Sequence, residues 1–460
     1  MNWKTLLSDE RLSHENRGEE RDLRSAFGRD SHRIIESASF RRLQDKTQVF
    51  PLDKSDFIRT RLTHSLEVAS IGKSLAQNVG RSVLTSGLDP DFTPDMVSSL
   101  CDVLECAGLI HDIGNPPFGH FGEEAIREWF RKNLAGVSYM GQSVVHFLSD
   151  EEREDLLHFE GNAQGLRLLT HLHFPVSDGG LNLTCAVLAT AIKYPVSSLK
   201  MDPESSDIAL HKMGYMASEA DIVDRIEYAT GACYCRTPMT FLLEAADDIA
   251  YATADIEDAF KKGFVTYEDL ISDLREMSVK KEMITNLDKL HDMARLTQVE
   301  NADEYAIRRW LLDVQDLLIS EATQSFMKDY ANLMAGRRKK ELISERTPKK
   351  LLMALKTIAY NRAFTTSSIF MTEIAANNML TFLLDKMVPA ALAYEPGTYP
   401  GLMEEKYLSL ISADYKQVYE AATRGRPKEE CAYHRLLLAT DSISGMTDSH
   451  AADLVRDLRG

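Results

Sequence analysis

The stretch "AGLIHDIGNPPFGHFGE", residues 107–123, decides how this chain is read. It begins as the end of an apolar helix, "VLECAGLI" at 103–110, and delivers an adjacent pair, His111 and Asp112. Neighbouring helical residues diverge by roughly 100°, so both reach one ion only at a frayed end. Gly114 and Pro116-Pro117 supply that end. His120 then follows, with Glu123 one helical turn on. The pair has the spacing of a proton-transfer histidine and the carboxylate that orients it.

Working outward, His64 lies in "TRLTHSLEV" (60–68) and Asp247 in "EAADDIAYATADIEDA" (244–259). With His111 and Asp112 they make a mixed nitrogen/oxygen donor set. Such a set suits Mg, Mn, Fe, Co, Ni or Zn and needs no cysteine. Asp247, Tyr251 and Asp255 are spaced i, i+4, i+8 and share one helix face, which selects Asp247 over Asp248 as the inward carboxylate. That face reads either as a solvated acidic stripe or as part of a site. Its neighbours Ala245, Ala246, Ala250 and Ala252 point to close helix packing. Arg59 and Arg61 flank the histidine segment, while Lys193 and Tyr194 ("AIKYP") and Lys212 lie near breaks in the pattern. Together with a metal they describe a polyphosphate pocket.

The remaining sequence fits a helical protein. Segments 62–79, 96–112 and 239–262 carry apolar residues at three- and four-residue spacing, and alternating strand patterns are scarce. Residues 181–194 read as a buried helix. Loops are expected at "SDGG" (177–180), 193–207 and 394–401, and Lys261-Lys262-Gly263 ends a helix. The predicted class is all-α with few or no strands. Residues 1–270 are expected to form a catalytic helical core, and 271–460 a helical region packed on it and contributing to oligomerisation. The net charge of −17 argues against wholesale coating of nucleic acid, although a local basic pocket is compatible with it. The six cysteines lack metal or disulfide spacing and read as thiols of a reducing compartment. No signal peptide and no 18-residue apolar run is seen, so a cytoplasmic protein without membrane contact is expected.

Taken in order, these segments closely resemble the dGTP triphosphohydrolase family, the dGTPase branch of the HD phosphohydrolase superfamily. The resemblance begins at "RDSHRIIESASFRRLQDKTQVFP" (29–51) and runs through the two segments around His64 and His111. It continues in "HFEGNAQGLRLL" (158–169), "GYMASEADIVDRIEYATG" (214–231) and the Asp247 helix, and reaches "DSISGMTDSHAADL" (441–454). An HD pair alone is weak evidence, but this series in this order is specific. Residues 270–425 match least.

The resemblance implies a helical HD-domain fold and hydrolysis of dGTP, or of deoxynucleoside triphosphates broadly, to the deoxynucleoside and triphosphate. It implies His64, His111, Asp112 and Asp247 as ligands of a divalent metal. Mg or Mn would serve in function, with Ni, Zn, Fe or Co possible occupants. His120 corresponds to the catalytic histidine and Glu123 to its partner. Gln44 corresponds to a position near base and sugar. Arg61, Asn162, Lys193, Tyr194 and Lys212 correspond to positions near the phosphates, and Tyr251 and Asp255 to positions near the sugar. A homo-oligomer is also implied.

One feature lies outside this frame. "GRRKKELISERTPKK" (336–350) is strongly basic. It reads as a solvated face, or as a regulatory site for nucleotide or single-stranded nucleic acid.

Overall fold

The computed structural model describes residues 1–13, 23–52, 55, 57–173, 180–344 and 346–460. Residues 177–179 of the expected "SDGG" loop and the side chain of Arg346 lie outside the described residues. The architecture is helical. Among the described residues the only sheet is a two-stranded antiparallel hairpin, Ser138–Tyr139 with Gln142–Ser143.

Helices α1 (Arg61–Ser86) and α2 (Pro94–Ile110) pack against each other more extensively than any other pair of described elements. α1 begins with a capping box, in which Thr60 and Thr63 satisfy each other's free backbone amides. Gly108 explains the close approach of α2. A Cβ there would lie 2.5 Å from the Ala69 Cα, so the two backbones meet with nothing between them. The chain then turns and enters α3 (Gly119–Asn133), followed by α4 (Gly161–Thr170). The apolar run at 181–194 is helical only over α5 (Cys185–Ala191), because residues before it are drawn into a bridge between Arg11 and Thr184.

The long helix α6 (Pro238–Lys261) lies across α1, α7 (Ala302–Lys328) and α8 (Arg346–Ala359). It ends as the sequence predicts, with Gly263 left-handed at φ +74. A π-helical turn, Tyr360–Phe364, leads from α8 towards α9 (Ser367–Ala393). The chain closes with α10 (Ala432–Ser444) and α11 (Asp448–Arg459).

The apolar interior falls into two clusters, and the chain crosses between them at the quoted stretch. One cluster holds α1, α2, α6 and α7 and includes Ile113. The other contains Phe118, α3 and the C-terminal helices α9 to α11. Residues 114–117 therefore bridge two cores. No described helix is long and apolar enough to cross a membrane. The six cysteines are free thiols, four of them buried.

Candidate active site at the seam between two cores

Small residues bring three helices to one point. A Cβ at Gly72 on α1 would lie 3.8 Å from the Ala246 Cβ of α6, so these helices pack closely, while Gly108 admits α2. In consequence one ligand atom each from His64, His111 and Asp247 lies within 4.8 Å of the others. His64 Nε2 stands 3.1 Å from Asp247 Oδ1, and His111 Nε2 3.5 Å from the same oxygen. His111 Nδ1 donates to the Gly108 carbonyl at 2.8 Å. That bond fixes the tautomer and leaves Nε2 buried without a hydrogen-bond partner. A ligating histidine is oriented in this way by the bond on its other nitrogen.

Asp112 stands beside this triad rather than inside it. Its Oδ1 is 3.6 Å from His111 Nε2 and accepts a hydrogen bond from Asn115 Nδ2 at 2.7 Å, while Oδ2 is paired with Arg61. Burial works against charge at these groups, but the partners outweigh it. Arg61 and the histidines hold Asp112 below its ordinary pKa, and Lys193 with His111 does the same for Asp247. His111 is pushed down by burial and then above its ordinary value by Asp112 and Asp247. Carboxylates that retain a proton on an imidazole would equally retain a divalent cation in its place. The donor set and the orphaned Nε2 thus fit a divalent metal.

The second half of the site comes from the other core. His120 is the second residue of α3, and its Nδ1 lies 3.0 Å from Glu123 Oε2. Glu123 is fully buried and is fixed from behind by the Gly161 amide, which donates to Oε1 at 2.8 Å. The imidazole itself is 76% exposed and faces open space. The hydrogen bond and charge of Glu123 raise the His120 pKa. For Glu123, burial is outweighed by His120 and the Lys212 and Arg127 charges, and its pKa is lowered.

The remaining residues expected from the sequence fall into three groups. Lys193 is buried, with Nζ 2.8 Å from Glu244 and 3.0 Å from Asp247, and Tyr194 beside it lies under the Arg236 guanidinium. Lys212 is partly exposed. It meets Glu160 at 3.1 Å, and Asn162 Nδ2 donates to the same carboxylate at 2.8 Å. Tyr251 and Asp255 share a face of α6, and Asp255 Oδ2 is buried without a partner. Burial raises the pKa of both. Asp248 faces away and pairs with Lys356 at 2.5 Å.

Two expectations need adjusting. Arg59 does not join Arg61 in the site, because its guanidinium is taken up by Glu67, Glu257 and Asp258 at 2.6–2.8 Å. Gln44 is exposed on the short turn Leu43–Asp45, outside the cavity lined by Arg61, His120 and Tyr251.

That cavity measures about 360 Å³, the scale of a small-ligand site. Thr47, Gln48, Val49, Arg61, Phe118, His120 and Tyr251 line one part of it, and Phe364, Ile369 and Glu373 another. The last three come from the stretch where the sequence offered no site residues. Phe364 sits in the π-helical turn, a local irregularity that side-chain periodicity does not reveal. The basic run at 336–350 lies elsewhere. Arg338 is engaged by Asp329, Ser325 and two backbone carbonyls, and Arg337 by Asn332.

Residues 61–158 match the HD domain family. The chain is 42% identical to a Listeria monocytogenes protein named deoxyguanosinetriphosphate triphosphohydrolase-like protein, over 100% of both chains. It is 34% identical to a protein of the same name from Synechocystis sp., over 100% of this chain and 99% of the relative. It is 31% identical to the deoxyguanosinetriphosphate triphosphohydrolase of Salmonella arizonae, over 95% of this chain and 94% of the relative.

Proposed function

The chain belongs to the deoxyguanosinetriphosphate triphosphohydrolase family of HD-domain proteins, and from that premise we propose that it hydrolyses a deoxynucleoside triphosphate, dGTP foremost, to the deoxynucleoside and inorganic triphosphate. The observation that carries this reading is the convergence of His64, His111 and Asp247 near a cavity lined by Arg61, which pairs with Asp112, and by His120, which the buried Glu123 orients.

In this reading water attacks the α-phosphorus and the bond to the 5′ oxygen breaks. The 5′ oxygen leaves with a proton and the three phosphates leave together. His64, His111, Asp112 and Asp247 would hold a divalent metal, Mg or Mn, which would supply polarisation of the α-phosphate and acidification of water. His120 donates the proton to the 5′ oxygen from Nε2, since Nδ1 is turned to Glu123. Glu123 keeps that imidazole charged, a role worth roughly 10²–10⁴ in rate for a general acid. Arg61, Lys193 and Lys212 face the polyphosphate arm. Lys212, the most exposed of the three, has the greatest freedom to turn from Glu160 to a phosphate. Tyr251 packs against the sugar, and the unpartnered Asp255 Oδ2 meets its 3′-hydroxyl.

Glu373 supports guanine as the preferred base. It is the carboxylate among the cavity's lining residues. Guanine presents two adjacent donors, N1–H and N2–H2, which suit a carboxylate's two acceptor oxygens. Adenine and cytosine lack that pair. The exposed apolar residues Tyr360, Phe370, Met371 and Ile374 around the cavity mouth support assembly into a homo-oligomer. Light scattering that gave a monomer at all concentrations would dismiss that assembly.

Ion-exchange product analysis with the four dNTPs and GTP, in Mn or Mg, tests the activity. Triphosphate and deoxyguanosine from dGTP alone would support the selective enzyme, and equal release from all four dNTPs a broad one. Release of phosphate or pyrophosphate without triphosphate would sink the reading.

A further inference from the structure

The C-terminal motif "DSISGMTDSHAADL" plays no part in the reaction described above, yet it closes on the site. Asp448 opens α11, and its side chain is among the most buried acids of the chain, 1% exposed. Its Oδ1 accepts the Phe118 backbone N–H at 2.8 Å. Its Oδ2 accepts the Thr47 backbone N–H at 3.0 Å and the Thr47 hydroxyl at 2.6 Å. Three neutral donors thus converge on one carboxylate, and they come from two different walls of the cavity.

Each wall carries a group of the site. Phe118 caps α3 with φ +64, a left-handed conformation costly for a bulky residue. Such a conformation persists only where its surroundings impose it, and His120 lies two residues on. Thr47 faces Thr60 in an isolated bridge, and the Arg61 amide donates to the Lys46 carbonyl at 2.9 Å. The Thr47 wall therefore holds the start of α1, with Arg61 and His64. Lys46 adds a parallel tie. Its buried Nζ donates to the Asn115 carbonyl at 2.6 Å and the Ser444 carbonyl at 2.8 Å.

We propose that Asp448 is a positioning residue for the reaction: its carboxylate clips the Phe118 turn to Thr47 and so fixes where His120 points relative to the metal triad. The proposal rests on the reading of His120 as the proton donor. It assigns to the last helix a role in the chemistry of a site whose reacting groups all lie before residue 256.

Asp448→Asn is nearly isosteric, but its carboxamide can no longer accept from both walls. We would measure kcat and KM for the full chain, for D448N, for H120A and for the double variant. Hydrogen–deuterium exchange of the segment 116–124 would be followed in parallel. D448N should lower kcat about 10–100-fold, the scale of a roughly 1 Å misplacement, with KM little changed. In the H120A background D448N should cost nothing further, because a residue acting through His120 has no effect without it. Exchange over 116–124 should quicken while the rest of the chain keeps its protection.

A D448N loss that multiplies with that of H120A, or unchanged exchange over 116–124, would overturn the proposal and leave the reading of His120 intact. H120A turning over at the wild-type rate would overturn that reading and the proposal with it. Should D448N not fold, Thr47→Val removes one of the three donors without altering charge. A smaller kcat loss, again absent in H120A, is then expected, and a multiplicative loss would count against the clip.

Discussion

His120 Nδ1 and Glu123 Oε2 lie 3.0 Å apart across one turn of α3, and the Gly161 amide holds Glu123 from behind. Glu123 raises the His120 pKa through that bond and its charge. Glu123→Gln removes the charge, so His120 should lose its proton at lower pH. If the protonated ring is the active form, the alkaline limb of kcat/KM should move to lower pH, and kcat should fall by up to about 10²–10⁴-fold. An alkaline limb that stays in place would remove His120 from the role of acid.

Asp247 and Asp248 are adjacent but face opposite ways, one to the two histidines and one to Lys356. Asp247→Asn should abolish retained divalent metal and triphosphate release together, while Asp248→Asn should keep both. Asn115→Ala, which frees Asp112 Oδ1, should weaken metal binding about 10–100-fold. Metal content by mass spectrometry and titration calorimetry would decide, and equal effects at 247 and 248 would contradict the assignment.

Glu373 should set base preference. Hydrogen bonds to a charged acceptor contribute about 1.5–3 kcal/mol, so Glu373→Gln should lower the ratio of kcat/KM for dGTP over dATP about 10–100-fold. A ratio left unchanged would mean the base is read elsewhere.

Tyr251 should exclude the 2′-hydroxyl by its bulk. Its ring lies 6.5 Å from Phe364, which narrows the cavity at that point. Tyr251→Ala should admit GTP, while Tyr251→Phe, which keeps the ring and loses only the hydroxyl, should still reject it. Equal discrimination in both variants would sink the steric account.

Gly114 should tolerate no side chain. A Cβ there would lie 2.1 Å from the Gly165 nitrogen and 2.2 Å from the Gly161 carbonyl oxygen, both rigid backbone of α4. Gly114→Ala should cost about 1–3 kcal/mol of stability, as overpacking does, and should lower metal retention through Asp112, two residues before it. A melting temperature equal to wild type would contradict this.

The same glycine shows what the sequence could and could not reveal. Read as a sequence, Gly114 is a helix stop. Folded, it is also the point where the turn after His111 presses on α4, fifty residues away in the chain. Local signals carried the helices, the frayed end at 111, and the His120–Glu123 spacing, because each depends on residues within one or two turns. The convergence of His64, His111 and Asp247 was legible only through motif order, since no local rule brings 64 and 247 together. Arg59 was misjudged because proximity to His64 says nothing about Glu257 and Asp258, which claim its guanidinium through tertiary packing. Glu373 and Asp448 were missed for a similar reason. An acid in a helix and an acid next to an N-cap both look ordinary until their surroundings are seen.

The passage of the chain from one apolar cluster to the other at residues 114–117 bears on inhibition. The groups that would hold the metal belong to one core and the proton donor to the other. A compound could therefore silence the protein without resembling a nucleotide. Wedged between the cores, it would part acid from metal by an ångström or so and leave both intact. Such a ligand would show itself by lowering kcat without raising KM while the metal stays bound, a combination that neither a competitor for the phosphates, which raises KM, nor a chelator, which removes the metal, would share.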